Sequence, residues 1–232
     1  MGVVVIGAQW GDEGKGKVVD LLSEHVSVCA RFGGGHNAGH TVVLGETKYP
    51  LNSIPSGILR PNTICVLGNG MVINPFALNE EIARVGSAGY DVSPKRILIS
   101  DRAHLIFPIH EYLDREPNSK EIGTTGKGIG PAYADKMNRI GLRFADACSN
   151  EFAEQLTKRL EQFNERATVK ADVPEICRRV LEALTPLKPY VKKTEVFLYD
   201  AWKAGEPILL ESAQGTLLDI DHGTYPFVTS SN

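Results

Sequence analysis

The chain has 232 residues, 42% of them hydrophobic and 23% charged, with a formal net charge of −3. This is an ordinary globular composition, able to bury a sizeable core as one large domain or two small ones, and it offers no whole-protein attraction to nucleic acid or to an anionic membrane. Cys29, Cys65, Cys148 and Cys177 are far apart with no Cys-x-x-Cys pair, which argues against a zinc ribbon or a disulfide framework and suits a reducing cytoplasm. No basic region precedes Val3, its apolar run is too short for a signal peptide, and no apolar stretch is long enough to span a membrane.

In chain order, Val3–Ile6 is a β-branched run without polar alternation, expected as a strand buried on both faces of a parallel sheet. The loop GAQWGDEGKGK follows, and Val18-Val19-Asp20-Leu21-Leu22 then predicts the start of a helix. Buried strands are expected again at Ile64–Leu67, Arg96–Ile99 and Pro207–Glu211. Pro75–Val85 predicts a helix capped by Asn74 with Pro75 at its first position. In Asn150–Ala167, Phe152, Leu156, Leu160 and Phe163 line one helical face, and Pro174–Leu184 repeats the pattern with Ile176, Val180, Leu181 and Leu184. A third helix is expected over Thr194–Ala204. The alternation predicts an α/β fold with a mainly parallel sheet, and the helical-only segment 150–190 is expected as a small subdomain on one side of it.

Four loops concentrate glycine and polar groups, at 7–17, 33–41, 122–131 and 211–232. Loops at the carboxyl ends of parallel strands are where open α/β sheets bind ligands. Gly11-x-x-x-x-Gly16-Lys17 fits most of a P-loop, whose glycines admit a polyanion and whose helix amides point at it. Val18 stands where a Ser or Thr would hold Mg²⁺, which leaves Asp12 as the nearest metal ligand. In GGGHNAGHT, His36 and His40 are four apart, but the glycines disfavour a helix and no further ligand follows at zinc spacing. A histidine there serves as acid or donor, or stays solvated, and Asn37 can read a base or a phosphate. Thr124, Thr125 and Lys127 suit a second phosphate, or a surface loop. Asp219 and Asp221 are a general acid/base pair or a turn cap.

Together and in this order, QWGDEGKGK, GGHNAGHT, IGTTGKGIGPAY and ESAQGTLLDIDHGTYPFVTSSN resemble the motifs of adenylosuccinate synthetase, with Ser212 where the family has glycine. PSGILR at 55–60 and GNGMVINP at 68–75 belong to the same likeness. It covers the whole chain and the first half or so of a typical member, which implies a single, incomplete domain of that family over 1–232. The resemblance implies a sheet related to P-loop NTPases, a homodimer, and a ligase that joins IMP to L-aspartate at the expense of GTP, with one Mg²⁺.

The resemblance further implies that Asp12 removes the N1 proton of IMP, that the freed 6-oxygen attacks the γ-phosphoryl of GTP, and that His40 is the acid on the other side. Lys15 and Gln214 complete the implied catalytic set. The GTP contacts carried over are Gly11, Asp12, Glu13, Gly14, Lys15, Gly16, Lys17, Gly39, His40 and Thr41. Those for IMP are Asp12, Lys15, Asn37, Ala38, Gly39, His40, Thr125, Gln214 and Thr229, with Arg139 reaching in from the partner subunit. Mg²⁺ would sit on the Asp12 carboxylate and the Gly39 carbonyl, which accounts for Val18. The family's arginine-rich aspartate-binding loop and its guanine-reading Lys-x-Asp element have no counterpart here. Two other readings stay open: a non-catalytic nucleotide-binding or dimer-forming remnant, and a P-loop NTPase switch. The final strand is expected at Tyr225–Thr229.

Overall fold

Short runs rich in Val, Ile, Leu and Ala form the strands, and glycine-rich connections let them exit sharply. The computed structural model describes residues 2–116, 123–167 and 169–232. Its strands are β1 (Gly2–Gly7), β2 (Val28–Arg31), β3 (His40–Leu44), β4 (Thr47–Leu51), β5 (Ile64–Leu67), β6 (Val72–Ile73), β7 (Ile97–Ser100), β8 (His104–Leu105), β9 (Val191–Lys192) and β10 (Ile208–Gly215). Its α-helices are α1 (Lys15–Leu22), α2 (Pro75–Ser87), α3 (Pro108–Asp114), α4 (Ile129–Met137), α5 (Phe144–Ala147), α6 (Phe152–Arg166), α7 (Val173–Leu184) and α8 (Thr194–Lys203).

Six strands make one all-parallel sheet in the order β1-β10-β2-β5-β7-β9. The class is α/β with a mainly parallel central sheet. β3 and β4 form an antiparallel hairpin turning at Gly45, whose φ of 60° suits glycine. α2 starts as its sequence predicts, because Asn74 accepts from the Phe76 and Ala77 amides behind Pro75. The main core runs without a break from β5 and β7 to α6 and α7. Leu67, Ile97 and Ile99 join Phe152, Leu156, Leu160, Val180 and Leu184 in one buried cluster.

Two sequence expectations are corrected. β1 is not buried on both faces. Among the described residues it is the edge strand, pairs only with β10, and leaves Val4 54% and Ile6 62% exposed, while Val3 and Val5 pack under α1 with Val19 and Leu209. Tyr225–Thr229 is not a strand. Pro226 removes a ladder donor, Phe227 N bonds Thr224 O at 3.0 Å, and Thr229 N bonds Leu218 O at 2.8 Å, so the segment folds on itself. β2, the β3–β4 hairpin, β6, β8 and β9 have no counterpart among the sequence expectations.

Because all six strands run the same way, the exits of β1, β10 and β2 lie side by side at one edge of the sheet. There the glycine loop meets the 33–41 loop and the end of β10.

Candidate active site

At those exits is a cleft of about 570 Å³, lined by Trp10–Lys17, Arg31, Asn37–Thr41 and Glu211–Gln214. Its floor is α1, whose N-terminus is capped by Gly14 in the left-handed conformation at φ 80°, with no side-chain cap and no acidic residue in the first turn. An uncapped helix start leaves amide donors and the positive end of the helix dipole for an anion. Asp20, on the buried side of α1, takes both ends of the Arg60 guanidinium at 2.9 and 2.7 Å and ties the helix to the segment Ser56–Leu59.

Asp12 sits at φ 53°, a left-handed position that costs a non-glycine residue about 1 kcal/mol. Its carboxylate has no hydrogen-bond or ion-pair partner among the described residues. Glu13 points the other way. Its carboxylate accepts from the Ala8, Gln9 and Gly11 amides at 2.6, 3.0 and 3.0 Å. Desolvation by the surrounding loop pushes this carboxyl up, but those three amides and Lys15 outweigh it and hold it below the usual range. Glycine is required beside it: a Cβ on Gly215 would stand 2.6 Å from both Glu13 Oε1 and the Gly11 nitrogen. Glu13, expected among the GTP contacts, thus spends its carboxylate organising the loop.

His40 opens β3 and lies across Gly16, where a Cβ would come within 2.6 Å of the ring. Its Nε2 is 2.8 Å from Ser56 Oγ and 3.5 Å from Glu211 Oε1. Burial lowers the affinity of His40 for a proton, with Arg31 and Lys15 pulling the same way against Glu211. His36 is buried behind the cleft and depressed to about 4, chiefly by burial and then by Lys127. Lys127 Nζ donates to the His36 carbonyl at 3.1 Å, joining the 122–131 loop to the 33–41 loop. Among the described residues no cluster of three His, Cys, Asp or Glu could hold a metal ion. A hard cation such as Mg²⁺ does not need one, since it takes one or two carboxylates and completes its shell with waters and substrate phosphates. The unpartnered Asp12 carboxylate and the Gly39 backbone on the same cleft fit that demand.

The cleft therefore gathers Gly11, Asp12, Glu13, Gly14, Lys15, Gly16, Lys17, Asn37, Ala38, Gly39, His40, Thr41 and Gln214. It does not gather Thr125, Arg139 or Thr229. Thr125 is exposed on the loop before α4, and Ile122 of that loop lies outside the described residues. Arg139 is exposed just past α4, at φ 61°. The hydroxyl of Thr229 donates to Ser231 O at 3.2 Å. Asp219 accepts from the Asp221 and His222 amides at 2.8 and 3.0 Å, which makes it a turn cap. Sequence reading passes over Arg31, Ser56 and Glu211. A charged residue ending an apolar run, as in VCAR and ILLE, is the available signal for two of them.

A glycine loop between a parallel strand and an uncapped helix, at the carboxyl edge of the sheet, defines an α/β protein of the P-loop-related type. The adenylosuccinate synthetase family model matches residues 4–232, and the chain belongs to that family. It is 51% identical over 239 aligned residues to adenylosuccinate synthetase of Clostridium botulinum strain 657, and 49% identical over 244 to that of Bifidobacterium animalis subsp. lactis. These alignments cover 99% and 100% of this chain and 56% of each relative, so the chain spans about half the length of the curated relatives it matches. Among solved structures, the fully ligated adenylosuccinate synthetase from Plasmodium falciparum superposes with a TM-score of 0.90 at 38% identity, over 99% of this chain and 55% of that one. A cyanophage S-2L succinoaminodeoxyadenylate synthetase shares the fold, with a TM-score of 0.68 at 22% identity.

Proposed function

We propose that this chain carries the phosphoryl-transfer half of an adenylosuccinate synthetase, a ligase of purine biosynthesis that joins IMP and L-aspartate using GTP. The observation that carries the reading is the convergence of Asp12, Lys15, His40 and Gln214 on one cleft, with the Asp12 carboxylate unpartnered. Asp12 takes the N1 proton of IMP. The electron pair released onto the 6-oxygen attacks the γ-phosphorus of GTP, GDP leaves, and the aspartate amine then displaces phosphate at C6. Lys15 and the first-turn amides of α1 spread the charge of the transferring group, where positioning and electrostatics supply most of the rate. Gln214 holds the 6-oxygen and His40 serves as the acid. Asp12 and Gly39 would hold Mg²⁺, which supplies charge neutralisation on the phosphates when bound.

Asn37, Thr125 and Thr229 are assigned to IMP, and Arg139 to the IMP of a partner subunit in a homodimer. The exposure of Arg139 away from its own cleft supports delivery in trans. The free thiols of Cys29 and Cys65, which burial pushes upward, suit a cytoplasmic setting.

The test supplies GTP, IMP, L-aspartate and Mg²⁺ and measures adenylosuccinate. Product is expected from the parent chain, with a loss of about 100-fold or more in Asp12→Ala and retained nucleotide binding. Asp12→Ala turning over at the parent rate would sink the assigned base. Activity per chain should also fall on dilution below the dimer dissociation constant. A second reading, nucleotide binding without turnover, is favoured by Thr125 and Thr229 standing outside the cleft. It predicts GTP or IMP binding and no product.

A further inference from the structure

Glu211 is a buried carboxylate at the wall of the cleft, and the mechanism above does not use it. Both of its oxygens meet Ser56, and the Cys29 thiol donates to Oε2 at 3.8 Å. Oε2 accepts the Ser56 amide at 2.9 Å. Oε1 faces the Ser56 hydroxyl at 3.4 Å and His40 Nε2 at 3.5 Å. Ser56 Oγ, fully buried, lies 2.8 Å from the same ring nitrogen. A carboxylate only accepts, so the proton facing Oε1 comes from the serine hydroxyl or from the ring, and in either case neutral His40 carries its own proton on Nε2; a hydroxyl turned to donate to Nε2 instead would leave Oε1 without a proton from either group. The ring lies over Gly16, close enough that any side chain there would displace it.

We propose that Glu211 and Ser56 form a positioning relay that clamps His40 by Nε2 and reserves Nδ1 for the ligand in the cleft. The inference rests on the reading of His40 as the acid and specifies which of its nitrogens does the work. An anchored ring is the arrangement a general acid needs, since its partner across the ring fixes both orientation and tautomer. A carboxylate that merely capped the Ser56 amide would not require the hydroxyl or the histidine to be where they are.

The experiment is long-range ¹H–¹⁵N spectroscopy of the full chain labelled at histidine, with His40 assigned by the signal lost in His40→Asn. In the parent, His40 is expected as a single Nε2–H form, and adding GTP with IMP should move Nδ1 more than Nε2. In Glu211→Gln, the amide can donate to Ser56 Oγ, the hydroxyl is released to donate to Nε2, and the tautomer should shift toward Nδ1–H. Ser56→Ala, which keeps the carboxylate, should give averaged tautomers. Unchanged His40 signals in both variants would overturn the relay, and so would a ligand response confined to Nε2. In turnover, both variants should lose about tenfold or more in kcat with KM for GTP little changed. A parent chain that binds nucleotide but makes no product would count against the proposed function, while the His40 signals would still decide for or against the relay.

Discussion

Two carboxylates in this molecule are held in the same way and behave in opposite ways. Glu13, at the glycine loop, accepts three backbone amides from residues 8, 9 and 11. Glu81, on α2, accepts three from Asn52, Ser53 and Ile54 at 2.7, 2.8 and 3.2 Å. The exposed Glu13 carboxyl is held below the usual range. The buried Glu81 is driven above it, since burial outweighs its three amides and the nearby Arg31. Amide number is equal, so desolvation decides the sign. The first cradle is open to solvent, beside the cleft to which the proposed function assigns the nucleotide phosphates. The second fixes the segment after β4, next to the wall that carries Ser56.

The strongest way to break the comparison is deletion. Glu81→Ala leaves two buried amides and one half-buried one without an acceptor, at about 1–3 kcal/mol for each buried amide before relaxation, so urea denaturation should show a loss of several kcal/mol. Glu13→Ala exposes its amides to water instead. Its midpoint should move far less, while on the proposed function affinity for GTP falls because the loop loses its organiser. Equal midpoint shifts in the two variants would erase the distinction.

Titration sharpens the same contrast at smaller amplitude. A raised folded-state carboxyl means that the native chain binds more protons, so the contribution of Glu81 to stability declines as pH rises from the unfolded value through the raised one. Glu13, with a depressed folded value, contributes above the unfolded value and loses that contribution as pH falls through its folded value. Glu81→Gln should therefore flatten stability on the neutral side and Glu13→Gln on the acid side. His36, depressed to about 4, adds its own loss of stability as pH falls from about 6.5 toward 4, because the unfolded chain takes up the proton first. The His36→Gln variant, compared by denaturation at pH 7 and 4.5, should lack that part of the decline.

The smallest effect is expected where carboxylates meet a cation in open solvent. Arg178 clasps Glu175 at 2.7 Å and Glu182 at 2.8 Å along α7. Exposed pairs of this kind contribute little, and Arg178→Ala should leave the urea midpoint within error.

Much of the fold is legible because strands and helices here announce themselves locally. The four-, four- and three-residue spacing of Phe152, Leu156, Leu160 and Phe163 can only make one buried stripe on a helix. The exposed face of β1 is not legible, since Val3–Ile6 has the composition of a central strand. Its place at the edge is set by β10, some two hundred residues later in the chain. Tyr225–Thr229 carries a warning in Pro226 that its aromatic residues obscure. Within the candidate site, glycine spacing locates the loops, and the resemblance supplies roles. Neither gives Glu211 or Ser56 a role, since their 155-residue separation closes only when β10 lies beside β2.

The cysteines carry a practical consequence. Cys29 and Cys65 sit opposite each other on adjacent central strands, sealed from solvent with thiols pushed upward, whereas Cys148 is exposed just past α5 and lines no part of the cleft. A maleimide dye should therefore label the folded chain first at Cys148. The two inner thiols become a clock: their delayed labelling times the opening of the sheet itself.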